Sequence, residues 1–164
     1  MLESLPLRGK QPVILTVTNS AGEITCKQTS YNGRVNTGAQ AMLGQMFGTA
    51  AQPAAFNFVA LSTNSAAAIM PDTAASFTAA GEITTNGLAR KQATYAYVTA
   101  PGTFNGNAQA TLSATWTATG GGVINSIGAL NAITGGTLGL ETVLSSVVSY
   151  NNTDTISLAW TLNQ

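Results

Sequence analysis

The chain alternates apolar and polar residues over short stretches, and alternation with period two is the signature of a strand with one buried face. The cleanest case is "DTISLAWTLN": Ile156, Leu158, Trp160 and Leu162 alternate with Thr155, Ser157, Ala159 and Thr161. Ala110, Leu112, Ala114 and Trp116 repeat the pattern in "AQATLSATWTA". Near the start, Val13, Leu15 and Val17 alternate, "NSAG" supplies turn residues, and Ile24 and Cys26 resume the alternation, which predicts a hairpin. "FNFVALST" is largely apolar and reads as a buried strand, and "ARKQATYAYV", "VINSIGALNA" and "ETVLSSVVSY" read as further strands. About eight short strands separated by Gly and Asn turns predict a mainly β fold, an antiparallel β-sandwich or jelly-roll-like barrel with Thr and Ser on its wet face.

Two segments break the β pattern. In "NTGAQAMLGQMFG", Ala39, Met42, Leu43, Met46 and Phe47 fall at i, i+3, i+4, i+7 and i+8, Asn36 or Thr37 can cap the start and Gly48 the end, so one amphipathic helix is expected at about 37–48, packed on the core. Residues 63–80, rich in Ala and holding Pro71 and Asp72, read as a long loop with a short helix in it. Residues 1–11 have no period, and Pro12 opens the first strand, so the domain organisation expected is an extended N-terminal arm (1–11) on a single β-sandwich domain (12–164).

Charge changes the picture. The chain has six basic and six acidic side chains in 164 residues, against about a quarter of residues in ordinary soluble proteins. There is no clustered Lys and Arg to displace counterions, which speaks against nucleic acid as a partner. A formal net charge of zero also gives little repulsion between copies. The composition suits a protein that works assembled, as a homo-oligomer. No apolar run is long enough for a signal peptide or for the roughly 20 residues of a membrane helix, so no membrane association is expected and synthesis and retention in a cytosol are.

The side chains available for chemistry are few. The chain has no histidine and one cysteine, Cys26, so neither the usual zinc ligand sets nor a His-assisted nucleophile can be assembled, and Cys26 is expected to pack. Only a two-carboxylate hydrolase remains, drawn from Glu3, Glu23, Asp72, Glu82, Glu141 and Asp154, and these stand apart in turn-like contexts. The expectation is no enzyme, no metal and no cofactor. Gly runs at 120–122 and 135–136 lack the Lys-Ser/Thr ending of a phosphate loop.

One cluster of charge needs an explanation: Glu82, Arg90 and Lys91 in "GEITTNGLARK". If "ARKQATYAYV" is one strand, Arg90 and Lys91 point to opposite faces and cannot share a phosphate. The preceding stretch then forms the strand's turn and entry, with Asn86-Gly87 suited to positive backbone angles.

The order of "FVALSTNSAAA", "PDTAASFTAAGEITTNGLARKQATYAY", "ATLSATWTAT", "VINSIGALNAITGGTLGLET" and "NNTDTISLAWTLN", over residues 35–164, resembles small virion structural proteins of tailed double-stranded DNA bacteriophages. The resemblance implies a non-enzymatic capsid decoration (cement) protein on the virion surface, a trimer bridging neighbouring subunits of the major capsid protein on the outer face of the head. In that setting the arm, through Leu2, Leu5, Leu7, Arg8 and Lys10, would lie on a neighbouring polypeptide. The same resemblance extends to tail or head-fibre components, for which Tyr95, Tyr97, Trp116 and Tyr150 would offer stacking faces to a host-surface carbohydrate.

Overall fold

The computed structural model describes residues 12–31, 33–34, 54–66, 73–98 and 109–163. The expected arm (1–11) and the expected helix at 37–48 lie outside the described residues.

Two five-stranded antiparallel sheets face each other in a β-sandwich. The strands are β1 (Pro12–Thr18), β2 (Ile24–Tyr31), β3 (Gly33–Arg34), β4 (Phe58–Ser62), β5 (Lys91–Gln92), β6 (Thr94–Val98), β7 (Gln109–Thr117), β8 (Gly122–Leu130), β9 (Leu138–Tyr150) and β10 (Thr155–Asn163). The first sheet runs in the order β2-β1-β10-β7-β6 and the second β3-β9-β8-β4-β5. The two strands that the hydrophobic pattern does not reveal, β3 and β5, are two residues long, too short to carry a period.

The core is built in cross-strand rows. Val13, Trp160 and Leu112 stand side by side, then Leu15, Leu158 and Ala114, then Val17, Ile156 and Trp116. Each tryptophan is thus set beside smaller neighbours, and the small Ala114 leaves room for bulk from the facing sheet, as close packing requires. From that sheet come Val59, Leu61, Ile124, Ile127, Ala129, Leu144 and Val148, all in the same buried cluster. The expected burial of Trp116, Trp160, Leu112, Leu158 and Ile156 in one sandwich is what the structure has.

The opposite face of the second sheet carries a smaller core. Helix α1 (Ala74–Ala79), within the expected 63–80 loop, sets Ala74 and Phe77 against Ala60, Leu130 and Leu138. Thr73 and Ser76 form a reciprocal capping box that fixes where the helix begins. Gly128 lets the Phe77 ring approach the sheet, since a Cβ there would meet the ring at 3.0 Å.

The lateral edges of the sandwich are closed by chain that changes sheets. On one side β2 of the first sheet runs into β3 of the second, and on the other β5 of the second runs into β6 of the first. This corrects the reading of "ARKQATYAYV" as one strand. The strand divides at Ala93, which is buried and whose N–H donates to the Asn57 carbonyl at 2.7 Å, so Lys91 and Gln92 pair with β4 while Thr94 onward pairs with β7. The burial order is correspondingly irregular: Arg90 and Ala93 point inward while Lys91 and Gln92 are both exposed.

Strand β9 departs from regularity as well. Ser126 pairs with Val143 and Ile124 with Val148, so residues 144–147 bulge opposite Asn125 alone. The inward side chains of β2 reach the backbone of that bulge. Ser30 Oγ accepts from the Ser145 N–H at 3.1 Å, and the Gln28 amide, in the orientation that satisfies both its ends, accepts from the Ser146 N–H at 2.6 Å and donates to Ser146 Oγ at 2.9 Å. Polar residues on the inner face of β2 therefore supply the hydrogen bonds that the bulge withdraws from the ladder.

Candidate functional site

The charge cluster is a clamp. Residues 83–89 leave the sheet between the bridge Ser62–Glu82 and β5, turn at Asn86-Gly87, and return, so that Glu82 and Arg90 meet across the neck of the excursion. Arg90 Nε donates to Glu82 Oε1 at 2.9 Å and Nη2 to Oε2 at 2.7 Å, a bidentate pair with side chains only 5% and 4% exposed. The Thr78 hydroxyl adds a bond to Oε2 at 2.7 Å. Burial alone would push the Glu82 carboxyl up; the hydrogen bonds from Arg90 and Thr78, with the Arg90 charge, outweigh it and hold the carboxyl below its ordinary value.

The remaining donors of Arg90 reach the β8–β9 loop, where Nη1 bonds the Ala132 carbonyl at 2.9 Å and the Gly135 carbonyl at 3.0 Å. Four of the five guanidinium N–H donors are thus spent on protein groups, and the side chain is almost wholly withdrawn from solvent. Between the two ends of the clamp, Ile83 and Leu88 enter the main core, and Ala89 accepts a hydrogen bond from Trp116 Nε1 at 2.9 Å. The "GEITTNGLAR" stretch is a core plug with a pinned neck, a larger role than the turn and strand entry expected. Asn86 and Gly87 do take the expected positive φ, 55° and 74°. A Cβ at Gly87 would run into the Thr117 carbonyl.

Lys91 points away from this pair. Its Nζ donates to the Thr115 carbonyl at 2.6 Å, on the part of β7 that lies beyond the end of β6. The ammonium occupies an edge acceptor that the sheet crossing leaves without a strand partner.

The other acids are placed as follows. Asp154 is buried and accepts from the Asn151 N–H at 2.8 Å, ordering the β9–β10 turn. Glu141 is buried on β9. Glu23 is exposed in the β1–β2 turn and accepts from Asn19 Nδ2 at 2.9 Å. Asp72 and Glu3 lie outside the described residues, as do Leu2, Leu5, Leu7, Arg8 and Lys10 of the expected contact arm. Among the described residues no three of His, Cys, Asp and Glu gather in a way that could hold a metal. Cys26 packs partly buried against the main core.

Of the aromatics named as stacking faces, Trp116 and Tyr150 are core residues, 3% and 4% exposed, and present no ring to a sugar. Tyr95 is exposed on β6. The side chain of Tyr97 is outside what is described.

What the fold does present is a broad neutral surface. The outward rows of the first sheet read Thr16, Ser157, Thr115 and Ile14, Ala159, Ser113, short side chains with methyl and hydroxyl groups and no carboxylate. Lys27, on β2 opposite Thr16, is its one charge among the described residues of this face. No pattern in the linear sequence isolates this face, because it needs the strand order to bring β1, β10 and β7 together.

No family model matches the chain, and neither a curated protein nor a solved structure matches it.

Proposed function

We infer that the chain is a non-enzymatic structural protein of a virion, a decoration protein that settles on the outer face of a capsid lattice and ties neighbouring subunits of the major capsid protein together, as a homo-oligomer for which the bacteriophage resemblance favours a trimer. The observation that carries this reading is the inward disposal of charge. Among charged residues whose side chains are described, Glu82, Arg90, Glu141 and Asp154 are withdrawn from solvent, leaving Glu23, Lys27 and Lys91 outside.

A surface so poor in charge meets little long-range repulsion from its own copies and loses little on contact, because few ions have to be stripped of water. Hydroxyls and methyls on a rigid sheet suit broad contacts whose strength comes from area and from repetition over a lattice. The occupied guanidinium of Arg90, the turn-ordering role of Asp154 and the buried tryptophans leave the described residues without a cluster suited to binding or transforming a small substrate.

The test is co-sedimentation of the purified chain with particles assembled without it. Saturable binding at a fixed number of copies per lattice unit is the expected result. A chain that stays in the supernatant at all concentrations would contradict the reading.

A further inference from the structure

We propose that Asn86, at the tip of the plug, is a latent modification site: the closed fold holds it unreactive, and when the tip opens it converts to aspartate or isoaspartate and hinders the plug from closing again.

The chemistry is that of an asparagine followed by glycine, the step least shielded from attack because Gly87 carries no side chain. The Gly87 backbone nitrogen loses its proton and bonds to Asn86 Cγ, ammonia leaves, and water opens the resulting cyclic imide at either of its carbonyls. Opening at one restores the main chain with an aspartate side chain. Opening at the other routes the main chain through Cγ and gives isoaspartate. Water is the only co-reactant.

The closed turn blocks the first step. Asn86 and Gly87 have φ of 55° and 74°, and the Leu88 N–H donates to the Thr85 carbonyl at 3.0 Å, so residues 85–88 form a type I′ turn. The first central residue of such a turn has ψ of about 30°, which points the Gly87 nitrogen nearly opposite to the Asn86 side chain, whereas ring closure needs the two eclipsed. The side chain is held too: Nδ2 donates to the Gly121 carbonyl at 3.3 Å, and Gly120 passes so close that a Cβ there would strike Oδ1. Reaction therefore waits for an opening that breaks the turn bond, frees the Asn86 carbonyl from the Thr119 N–H at 2.9 Å and unseats Leu88 from the core.

Either product damages the place it came from. Aspartate sets a carboxylate oxygen against the Gly121 carbonyl, where an amide donated before. Isoaspartate adds a carbon to the main chain inside the turn and makes the acceptor of the Thr119 N–H a pendant carboxylate. The seating of Leu88 next to the turn is disturbed in both cases, so chemistry in the open state makes the opening one-way.

The experiment incubates the full chain at mildly alkaline pH, in buffer and unfolded in guanidinium chloride, and follows Asn86 by peptide mapping with mass spectrometry. Refolded chains are melted beside Asn86→Gly treated identically and beside chains unfolded only briefly, and Asn86→Asp, which needs no refolding, is melted directly. Expected are conversion of Asn86 in denaturant, conversion at least about tenfold slower in buffer, a melting temperature that falls with the converted fraction in wild type and holds in Asn86→Gly, and a lower melt for Asn86→Asp than for wild type. Equal rates in buffer and denaturant would overturn the protection, and no conversion in denaturant would overturn the site. An equal loss in wild type and Asn86→Gly, or an Asn86→Asp that melts like wild type, would overturn the one-way plug.

Discussion

Arg90 grips both carboxylate oxygens of Glu82 at 2.9 and 2.7 Å, from eight residues further along the chain and with almost no exposure to water. The pair closes the neck of a loop whose Ile83 and Leu88 belong to the core, so its integrity and the seating of those two side chains are linked. Replacing Arg90 by Met would leave a buried carboxylate beside apolar neighbours. We expect a loss of about 3–5 kcal/mol in urea unfolding, and a smaller loss for the double replacement Glu82→Gln with Arg90→Met than the sum of the singles. Additive single effects would mean the two groups are not coupled.

Acid should loosen the same clamp. The folded state holds the Glu82 carboxyl below its ordinary value of 4.5, so it takes up a proton less readily than the unfolded chain does. The stabilisation is complete above about pH 4.5 and is lost as pH falls through the lower folded value. The melting temperature of wild type minus that of Glu82→Gln, followed from pH 7 downward, should stay constant and then shrink in the acid range. A difference that grows on acidification would contradict this sign.

The two tryptophans are expected to differ although both are core residues. Trp116 Nε1 has the Ala89 carbonyl as acceptor, whereas Trp160 Nε1 is buried with no hydrogen-bond partner among the described residues. Trp116→Phe should cost about 1–2 kcal/mol more than Trp160→Phe, because only the former removes a hydrogen bond and leaves a carbonyl of the plug unsatisfied. Trp160→Ala, which opens a cavity in the row with Val13 and Leu112, should cost about 3–5 kcal/mol. Thermal melts of the three variants decide the order.

The tip of the plug gives a backbone test. Gly87 has φ 74° and faces the Thr117 carbonyl, while Thr119 N–H bonds the Asn86 carbonyl at 2.9 Å and ties the turn to the β7–β8 connection. Gly87→Ala should lower stability by about 1–3 kcal/mol through strain and collision. Asn86→Gly keeps the angle but gives up the side-chain bond to the Gly121 carbonyl, and should cost less. Equal melts for the two would show that the turn does not carry this strain.

The strands with regular alternation were legible because burial of one face leaves a period-two trace in the residues themselves. The inward residues of β1, β10 and β7 follow from that trace, and the Asn86-Gly87 turn from its residue types. The sheet crossing at Ala93 was not legible: alternation continues on paper through Tyr97, and only the pairing of Lys91 and Gln92 with β4 shows the break. The bulge at 144–147 is hidden likewise: its serines read as an ordinary wet face, and only the register shift and their hydrogen bonds to Gln28 and Ser30 show it. The Glu82–Arg90 pair left a fainter signal. Two opposite, isolated charges flank a turn that contains Ile83 and Leu88 in a chain with few charges at all, and an apolar loop between opposite charges suggests a pinned plug. The neutral face of the first sheet needed the strand order and had no linear signal.

Imaging intact particles by electron cryomicroscopy decides whether this sandwich is the lattice-bound virion component proposed above. Density into which the two five-stranded sheets fit, repeated over the outer face of the head, is the predicted result. Particles whose head lattice lacks such density, or in which the sandwich is found only on the tail, would contradict it.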